Sequence, residues 1–252
     1  MKVLVVGSGG REHVICWKLK QSKRVSELYC CPGNGGIASV ATCVDIKATD
    51  VDKIVEYASS NNFDLVFVAP EDPLALGLVD KLNENGIRAF GPKANAAIIE
   101  ASKVFSKNLM AKYHIPTAEY ALFDNKEKAY DYLEGCEMPI VIKADGLALG
   151  KGVIIAKDID EAKAAVSSML EDKAFGDAGS NIVIEECMVG PELTILAFSD
   201  GEYAIPMISS RDHKRAYDHD EGLNTGGMGA VTPGADLSDD DVKVISDTII
   251  QP

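Results

Sequence analysis

Val3-Leu4-Val5-Val6-Gly7-Ser8-Gly9-Gly10-Arg11-Glu12-His13 is the stretch on which the reading of the fold turns. An apolar run of four residues meets a glycine-rich turn, and helical spacing follows through His13, Val14, Trp17 and Leu19. A buried strand feeding straight into a helix is the opening of a βαβ unit. Working outward, Glu27–Cys31 reads as a second strand, closed by Pro32-Gly33-Asn34-Gly35-Gly36. Asp52–Ser60 reads as a helix with Ile54, Val55 and Ala58 on one face, and Leu65–Ala69 as an apolar strand stopped by Pro70. Leu74–Asn83 is a further helix and Arg88–Phe90 a last short strand before Gly91-Pro92. The alternation predicts an α/β domain with a parallel, Rossmann-like sheet whose ligands lie at the carboxyl ends of the strands.

Both glycine turns fall at such strand ends. The first departs from the dinucleotide fingerprint twice: Glu12 stands where the third glycine of G-x-G-x-x-G belongs, and Tyr29-Cys30-Cys31 offers no carboxylate for a ribose. Two glycine turns facing one another across a sheet edge suit a small phosphorylated ligand better than NAD. A tight βα turn with no ligand remains the alternative.

From about residue 100 the grammar changes, with the boundary expected at residues 91–103. Ser102–Lys112 reads as a helix, Pro139–Ala144 as a strand ending in Lys143, and Val153–Ala156 as a strand returning at once. Between them lies Asp145-Gly146-Leu147-Ala148-Leu149-Gly150-Lys151-Gly152. It is not a Walker loop, because three residues separate Gly146 from Gly150 and a glycine follows the lysine. Its glycines still let backbone amides close over a triphosphate. Lys143, at the end of an apolar strand, needs an anionic partner; a plain hairpin with a solvated lysine is the alternative. Ile159–Leu170 is a helix with Ala162, Ala165, Val166 and Met169 on one face, followed by strands at Ile182–Glu185, Leu193–Ser199 and Tyr203–Met207. Short turns such as Asp200-Gly201 predict an antiparallel α+β arrangement.

Three carboxylates, Glu185, Glu186 and Glu192, flank the apolar stretch that contains Val189. Backbone there suits an adenine edge and Glu192 a ribose; taken alone, it equally suits a solvated strand end. Asp212-His213-Lys214-Arg215 is a basic knot in an acidic chain, and Asn224-Thr225-Gly226-Gly227-Met228-Gly229 follows. The knot suits an anion or transition-state clamp, and the glycines suit backbone lying close to a ligand. Asp236–Asp241 reads as the acidic start of a helix.

The 252 residues carry 39 acidic and 25 basic side chains, a net charge of -14, which argues against nucleic acid or an anionic membrane as partner. Cysteines 16, 30, 31, 43, 136 and 187 form no C-x-x-C pair, and histidines 13, 114, 213 and 219 form no H-x-x-x-H pair, so neither zinc nor a disulfide framework is indicated. With no signal-like or membrane-spanning run, the expected compartment is the cytoplasm.

In order and spacing the motifs resemble the phosphoribosylamine–glycine ligase (glycinamide ribonucleotide synthetase) family of ATP-grasp enzymes. The resemblance rests on Gly7–His13, Pro32–Asn34, Pro70–Leu74, Gly91-Pro92, Ser102-Lys103, Ile115–Ala118, Lys143–Ala148, Gly150–Val153, Asp212–Arg215 and Asn224–Gly229. It implies a substrate-binding pre-ATP-grasp domain over residues 1–101 and an incomplete ATP-grasp domain over 102–252, with an ATP-binding subdomain at 119–190. It further implies glycine, 5-phosphoribosylamine and ATP as substrates, joined through glycyl phosphate to give glycinamide ribonucleotide, ADP and phosphate in purine biosynthesis. Lys103, Lys143 and Lys151 would then meet the phosphates, under a loop containing Asp145, Gly146, Gly150 and Gly152. Glu185, Glu186 and Val189 would line the adenine and Glu192 the ribose.

The same resemblance makes Asp212, His213, Lys214 and Arg215 the catalytic group. Gly9, Gly10, Pro32, Gly33, Asn34 and the 224–229 loop would hold the other substrates. Magnesium or manganese would take its ligands from beyond residue 252, so no residue here is assigned to metal and the chain is expected to be a fragment, inactive alone. Ala69, Arg211, Leu223 and Val231 depart from the family's usual glycine, glutamine, proline and tyrosine. Another ATP-grasp carboxylate–amine ligase, or a nucleotide-binding module without catalysis, are the competing readings.

Overall fold

A computed structural model describes residues 1–147, 152–172 and 179–252. By Cα proximity the chain divides into Met1–Phe105 and Ser106–Pro252.

The first unit runs β1 (Lys2–Gly7), α1 (Gly10–Lys20), β2 (Glu27–Pro32), β3 (Thr42–Cys43), α2 (Val51–Ser60), β4 (Leu65–Val68), α3 (Glu71–Ala75), α4 (Leu78–Glu84), β5 (Ala89–Phe90) and α5 (Ala94–Ala101). Its five strands form a parallel sheet in the order β3-β2-β1-β4-β5. Alternate residues of β1 feed two cores, because successive side chains leave a strand on opposite faces. Leu4 and Val6 join Val66, Val68, Ile54, Ala58, Leu78 and Leu82 on one face. Val3 and Val5 join Leu28, Cys30, Cys16 and Ile37 on the other. Each fully buried Leu or Ile contributes about 2 kcal/mol of transfer free energy, which is why the strands read as uninterrupted apolar runs.

Two features differ from expectation. The helix expected over Leu74–Asn83 is two helices, broken at Gly77, whose φ of 80° is left-handed and ends the first at Ala75. An unexpected α5 occupies Ala94–Ala101; only Ala97 of it is buried, so it carries almost no apolar stripe to announce it.

Helix α6 (Lys103–Lys112) contains the division point. After it come β6 (Tyr120–Phe123), α7 (Lys126–Leu133), β7 (Ile140–Ala144), β8 (Val153–Ala156), α8 (Ile159–Leu170) and β9 (Ile182–Glu186). These strands make an antiparallel sheet in the order β6-β9-β7-β8, although only β7 and β8 follow one another without a helix between them. Helices α7 and α8 share one face: Ile140, Ile142, Ala144, Ile182 and Ile184 pack on Ala129 and Leu133 of α7 and on Ala162, Ala165, Val166 and Met169 of α8. Asp158 caps α8 by accepting a hydrogen bond from the Glu161 amide at 2.9 Å, and Asn125 caps α7 in the same way. The opposite face carries Val141 and Val183, both buried, beside Lys143 and Glu185.

Beyond this sheet lie two separate strand pairs, β10 (Ala197–Ser199) with β11 (Ala204–Pro206), and β12 (Arg211–Tyr217) with β13 (Glu221–Val231), then α9 (Asp239–Ile245). Ser238 caps α9 within an acidic first turn, as the acid run suggested. The strand expected over Leu193–Ser199 shrinks to Ala197–Ser199 plus a bridge between Thr194 and Ser210. The basic knot and the glycine stretch, read from sequence as a clamp and a loop, are the two arms of one irregular hairpin. Among the described residues no helix is long and apolar enough to cross a membrane.

Candidate functional site

In the first unit the two glycine turns meet. Gly7 and Pro32 end paired strands, and the Gly33 amide donates to the Gly7 carbonyl at 3.1 Å. Asn34 ties the turns together: its Nδ2 donates to the Ser8 carbonyl at 2.8 Å, while its Oδ1 accepts from the Ile37 amide at 2.8 Å. Gly33 holds a left-handed φ of 73°, and a side chain there would bring Cβ to 2.5 Å from the Cys43 sulfur. Glu12 is buried, and its carboxylate accepts from the Gly9 amide at 2.6 Å. That gives the missing third glycine a physical reason. The carboxylate occupies an amide a pyrophosphate would need, and places negative charge at the positive end of α1. Gly10 lies open beside it, with nothing within 4 Å of a Cβ built there. Gly9, Gly10, Pro32, Gly33 and Asn34 therefore share one edge. At that edge Arg11 reaches Glu71, at the start of α3, in an exposed pair at 3.3 Å.

In the second unit the sheet face opposite α7 and α8 carries Lys143 and Glu185. Val141 pairs with Glu185 and Lys143 with Val183, so the two charged residues are diagonal neighbours on one face. The Lys143 ammonium bonds Glu185 Oε1, and Lys107 of α6 bonds Oε2 at 2.7 Å. Burial pushes the Glu185 carboxyl up, but hydrogen bonds and charge from the two lysines outweigh it and hold the carboxyl below its usual range. The anionic partner that Lys143 requires is thus present within the chain, and its position alone no longer demands a phosphate. Sequence reasoning missed Lys107, although its spacing of four residues from Lys103 puts both on one face of α6.

Strand alternation separates the neighbouring acids. Glu186 leaves β9 on the face opposite Glu185 and lines a different groove of about 460 Å³ with Tyr132, Met138 and Cys187. Only backbone from 185 to 189 can present both positions to one ligand. Val189 is 96% exposed. Asp145 continues β7, its amide donating to the Asn181 carbonyl at 3.0 Å, and Gly152 accepts from the Ala144 amide at 2.8 Å. Gly150 and Lys151 lie outside the described residues. Lys103 is the first residue of α6.

A second cluster surrounds the hairpin. Lys214 bonds Glu192, and the Arg211 Nε donates to the Glu192 carbonyl at 3.1 Å. Together with Met188, Pro191, Asp212, His213 and Arg215 they line a cavity of about 550 Å³. Arg215 is turned to the Gly222 carbonyl at 2.7 Å. Thr225 donates to the Lys214 carbonyl at 2.8 Å and accepts from the Gly227 amide. Gly227 has φ 117°, and a Cβ there would approach Asp212 to 3.1 Å, so glycine lets the strands close over that carboxylate. Gly226 and Gly229 are open, Met228 is exposed, and Asn224 pairs with Arg215 through the strand register. The knot and the glycine stretch are thereby brought together, with Glu192 as a third member. Among the described residues no three His, Cys, Asp or Glu side chains gather to hold a metal.

Two family models divide the chain between them: residues 1–100 match the phosphoribosylglycinamide synthetase N domain, and residues 101–252 its ATP-grasp (A) domain. A phosphoribosylamine–glycine ligase from Halalkalibacterium halodurans is 50% identical over all 252 residues, which span 59% of that relative. The crystal structure of a phosphoribosylamine–glycine ligase from Thermotoga maritima superposes with a TM-score of 0.84 at 31% identity, covering 98% of this chain and 59% of that one. A biotin carboxylase domain from Hydrogenobacter thermophilus, solved with MgADP, ADP and bicarbonate, shares the fold alone, at TM-score 0.69 and 15% identity over 85% of this chain and 51% of that one. The chain thus spans about three-fifths of the length of the curated relatives it matches.

Proposed function

The chain belongs to the phosphoribosylglycinamide synthetase family, and from that membership we propose that it supplies the substrate-binding and nucleotide-binding parts of a ligase joining glycine to 5-phosphoribosylamine. The observation that carries the reading is the ordered match of both domains, at 50% identity to a named ligase across the whole chain. In this reading the glycine carboxylate attacks the γ-phosphorus of ATP, ADP leaves, and glycyl phosphate forms. The amine of phosphoribosylamine then attacks the acyl carbon, phosphate departs, and the amine gives up its proton. Phosphoryl transfer of this kind is accelerated chiefly by positioning and by charge on the transferring oxygens.

Each part of the chain has a role in this proposal. The open edge at Gly9, Gly10, Gly33 and Asn34 receives the phosphoribosyl group. Lys103 and Lys143 receive the triphosphate together with Asp145, Gly146 and Gly152, and Gly150 and Lys151, outside the described residues, belong to the same proposal. Backbone of residues 185–189 reads the adenine and Glu192 the ribose. Lys214 and Arg215 stabilise phosphoryl oxygens, while Asp212, His213 and the 224–229 backbone orient the acyl group. Glu185 cannot also serve the adenine through its side chain while it holds two lysines. Magnesium or manganese supplies charge neutralisation in such a reaction, but the described donor set offers no cage, so no step is assigned to a metal held here. A cytoplasmic location belongs to the same proposal, supported by six free cysteines.

The test is ADP release by the full-length enzyme, coupled to glycine and phosphoribosylamine. Release that needs both substrates supports the reading. Release that persists when other carboxylates or amines replace them points to a different ATP-grasp ligation, and ATP binding without turnover points to a non-catalytic module.

A further inference from the structure

Lys107 is 7% exposed, although lysine is among the residues least often buried. Its ammonium has three hydrogens and three oxygen partners: Glu185 Oε2 at 2.7 Å, Thr117 Oγ1 at 2.7 Å and the Ala118 carbonyl at 3.4 Å. Nζ also lies 4.9 Å from the centre of the Tyr120 ring, whose hydroxyl donates to the Lys107 carbonyl at 2.9 Å. Nothing on this ammonium is left to offer a ligand. Lys143 is different: its side chain is 29% exposed, and its partner among the described residues is Glu185 alone. One buried carboxylate therefore holds two lysines, one saturated and enclosed, the other able to swing outward.

We propose that Lys107 is a positioning residue for nucleotide binding: it holds the Glu185 charge so that Lys143 can leave that carboxylate for a polyphosphate. Without Lys107, drawing Lys143 onto a phosphate would strand a carboxylate that is itself 6% exposed, and a buried unpaired charge is costly. With Lys107 in place the carboxylate stays paired throughout, and the exchange at Lys143 replaces one anion by another. The inference rests on the reading that this domain takes a nucleoside triphosphate.

Calorimetric titration of ATP into the full-length enzyme tests it, using Lys107→Gln, Glu185→Gln, the double variant and Lys107→Arg. Lys107→Gln is expected to weaken ATP about tenfold, equivalent to a coupling of ~1.4 kcal/mol between the groups. Lys107→Arg, which keeps the charge, should stay within about threefold of the parent on the same scale. The distinguishing outcome is rescue. Once the carboxylate is gone there is nothing to strand, so the double variant should bind ATP within about threefold of Glu185→Gln alone. A purely structural lysine would lower thermal stability in Lys107→Gln and leave affinity unchanged, or lose affinity without rescue; either result overturns the inference. Should Lys107→Gln fail to fold, Glu185→Gln decides alone. It is expected to bind ATP as tightly as the parent or more tightly, and a tenfold loss would mean that Glu185 serves the nucleotide directly. Failure of the parent enzyme to bind ATP would sink the nucleotide reading itself, which is a separate result.

Discussion

Replacing Glu185 by Gln tests the electrostatic account of the second unit through stability alone. The substitution keeps the shape and leaves the Lys107 side chain, 8% exposed, facing an amide; the 29% exposed Lys143 can turn to water. Breaking a buried ion pair from one side costs about 3–5 kcal/mol, whereas an exposed pair is worth about 0–1. Only Lys107 is truly trapped, and the Gln oxygen still accepts one bond, so the expected loss at pH 7 is about 3 kcal/mol. With a urea slope of about 2 kcal/mol per molar, the midpoint for the second unit should fall by about 1.5 M. The pH dependence fixes the cause. The Glu185 carboxyl is held below its ordinary range in the folded protein, so its stabilisation is complete above the unfolded value, near pH 4.3, and is lost as pH falls through the folded value. The gap between parent and variant should accordingly be widest at neutral pH and close in acid. Hydrogen exchange in β7 and β9 under increasing urea reads the second unit. Fluorescence of Trp17, the only tryptophan in the sequence, reads the first. A loss below about 1 kcal/mol, or a gap unchanged between neutral and acid pH, would refute the reasoning.

Two further outcomes concern the sites. Gly33→Ala forces a side chain into a left-handed backbone and against the Cys43 sulfur; the backbone part alone costs about 1–2 kcal/mol, visible as a lower urea midpoint by Trp17 fluorescence, and Cys43→Ala should relieve the remainder only. Lys214→Met removes a pair with Glu192, whose members are 44% and 45% exposed, and a longer one with Asp212 at 4.0 Å, so stability should change by less than about 1 kcal/mol. If Lys214 meets a transferring phosphoryl group as proposed, kcat of the full-length enzyme should still fall about 10²–10³-fold.

What could be read from sequence follows from where the signal lies. Helix α8 was legible because its apolar residues fall in one stripe at 162, 165, 166 and 169. Strands β1, β2, β4, β7 and β9 were legible because burial makes them apolar runs. Helix α5 was not, since one buried alanine makes no stripe. The β12–β13 hairpin was not, since cations and glycines carry no period of two and its register shifts around Lys214. At the site, the meeting of the two glycine turns followed from strand order, a local property of βαβ units. The partner of Lys143 did not. Glu185 is an unremarkable strand end until β9 is inserted between β6 and β7, and Lys107 is an ordinary helix lysine until Thr117 and Tyr120 enclose it.

The net charge of -14 takes on a definite meaning at these two clusters. Neither Lys143 nor Lys214 waits as a bare cation; each rests on a carboxylate, Glu185 or Glu192. An arriving anion must therefore displace an internal one, and the difference between the two exchanges decides what each lysine can do. At Lys214 the displaced Glu192 is nearly half exposed and returns to water, so the exchange costs about 0–1 kcal/mol. At Lys143 the displaced Glu185 stays buried, and the exchange is tolerable because a second lysine remains on it. A single anion gains little from either trade. A polyphosphate that engages several cations at once gains from all of them, and the acidic background disfavours anions that cannot. On the proposed nucleotide reading, selectivity for a triphosphate in an acidic protein would rest on carboxylates that keep its lysines occupied, more than on a surplus of positive charge.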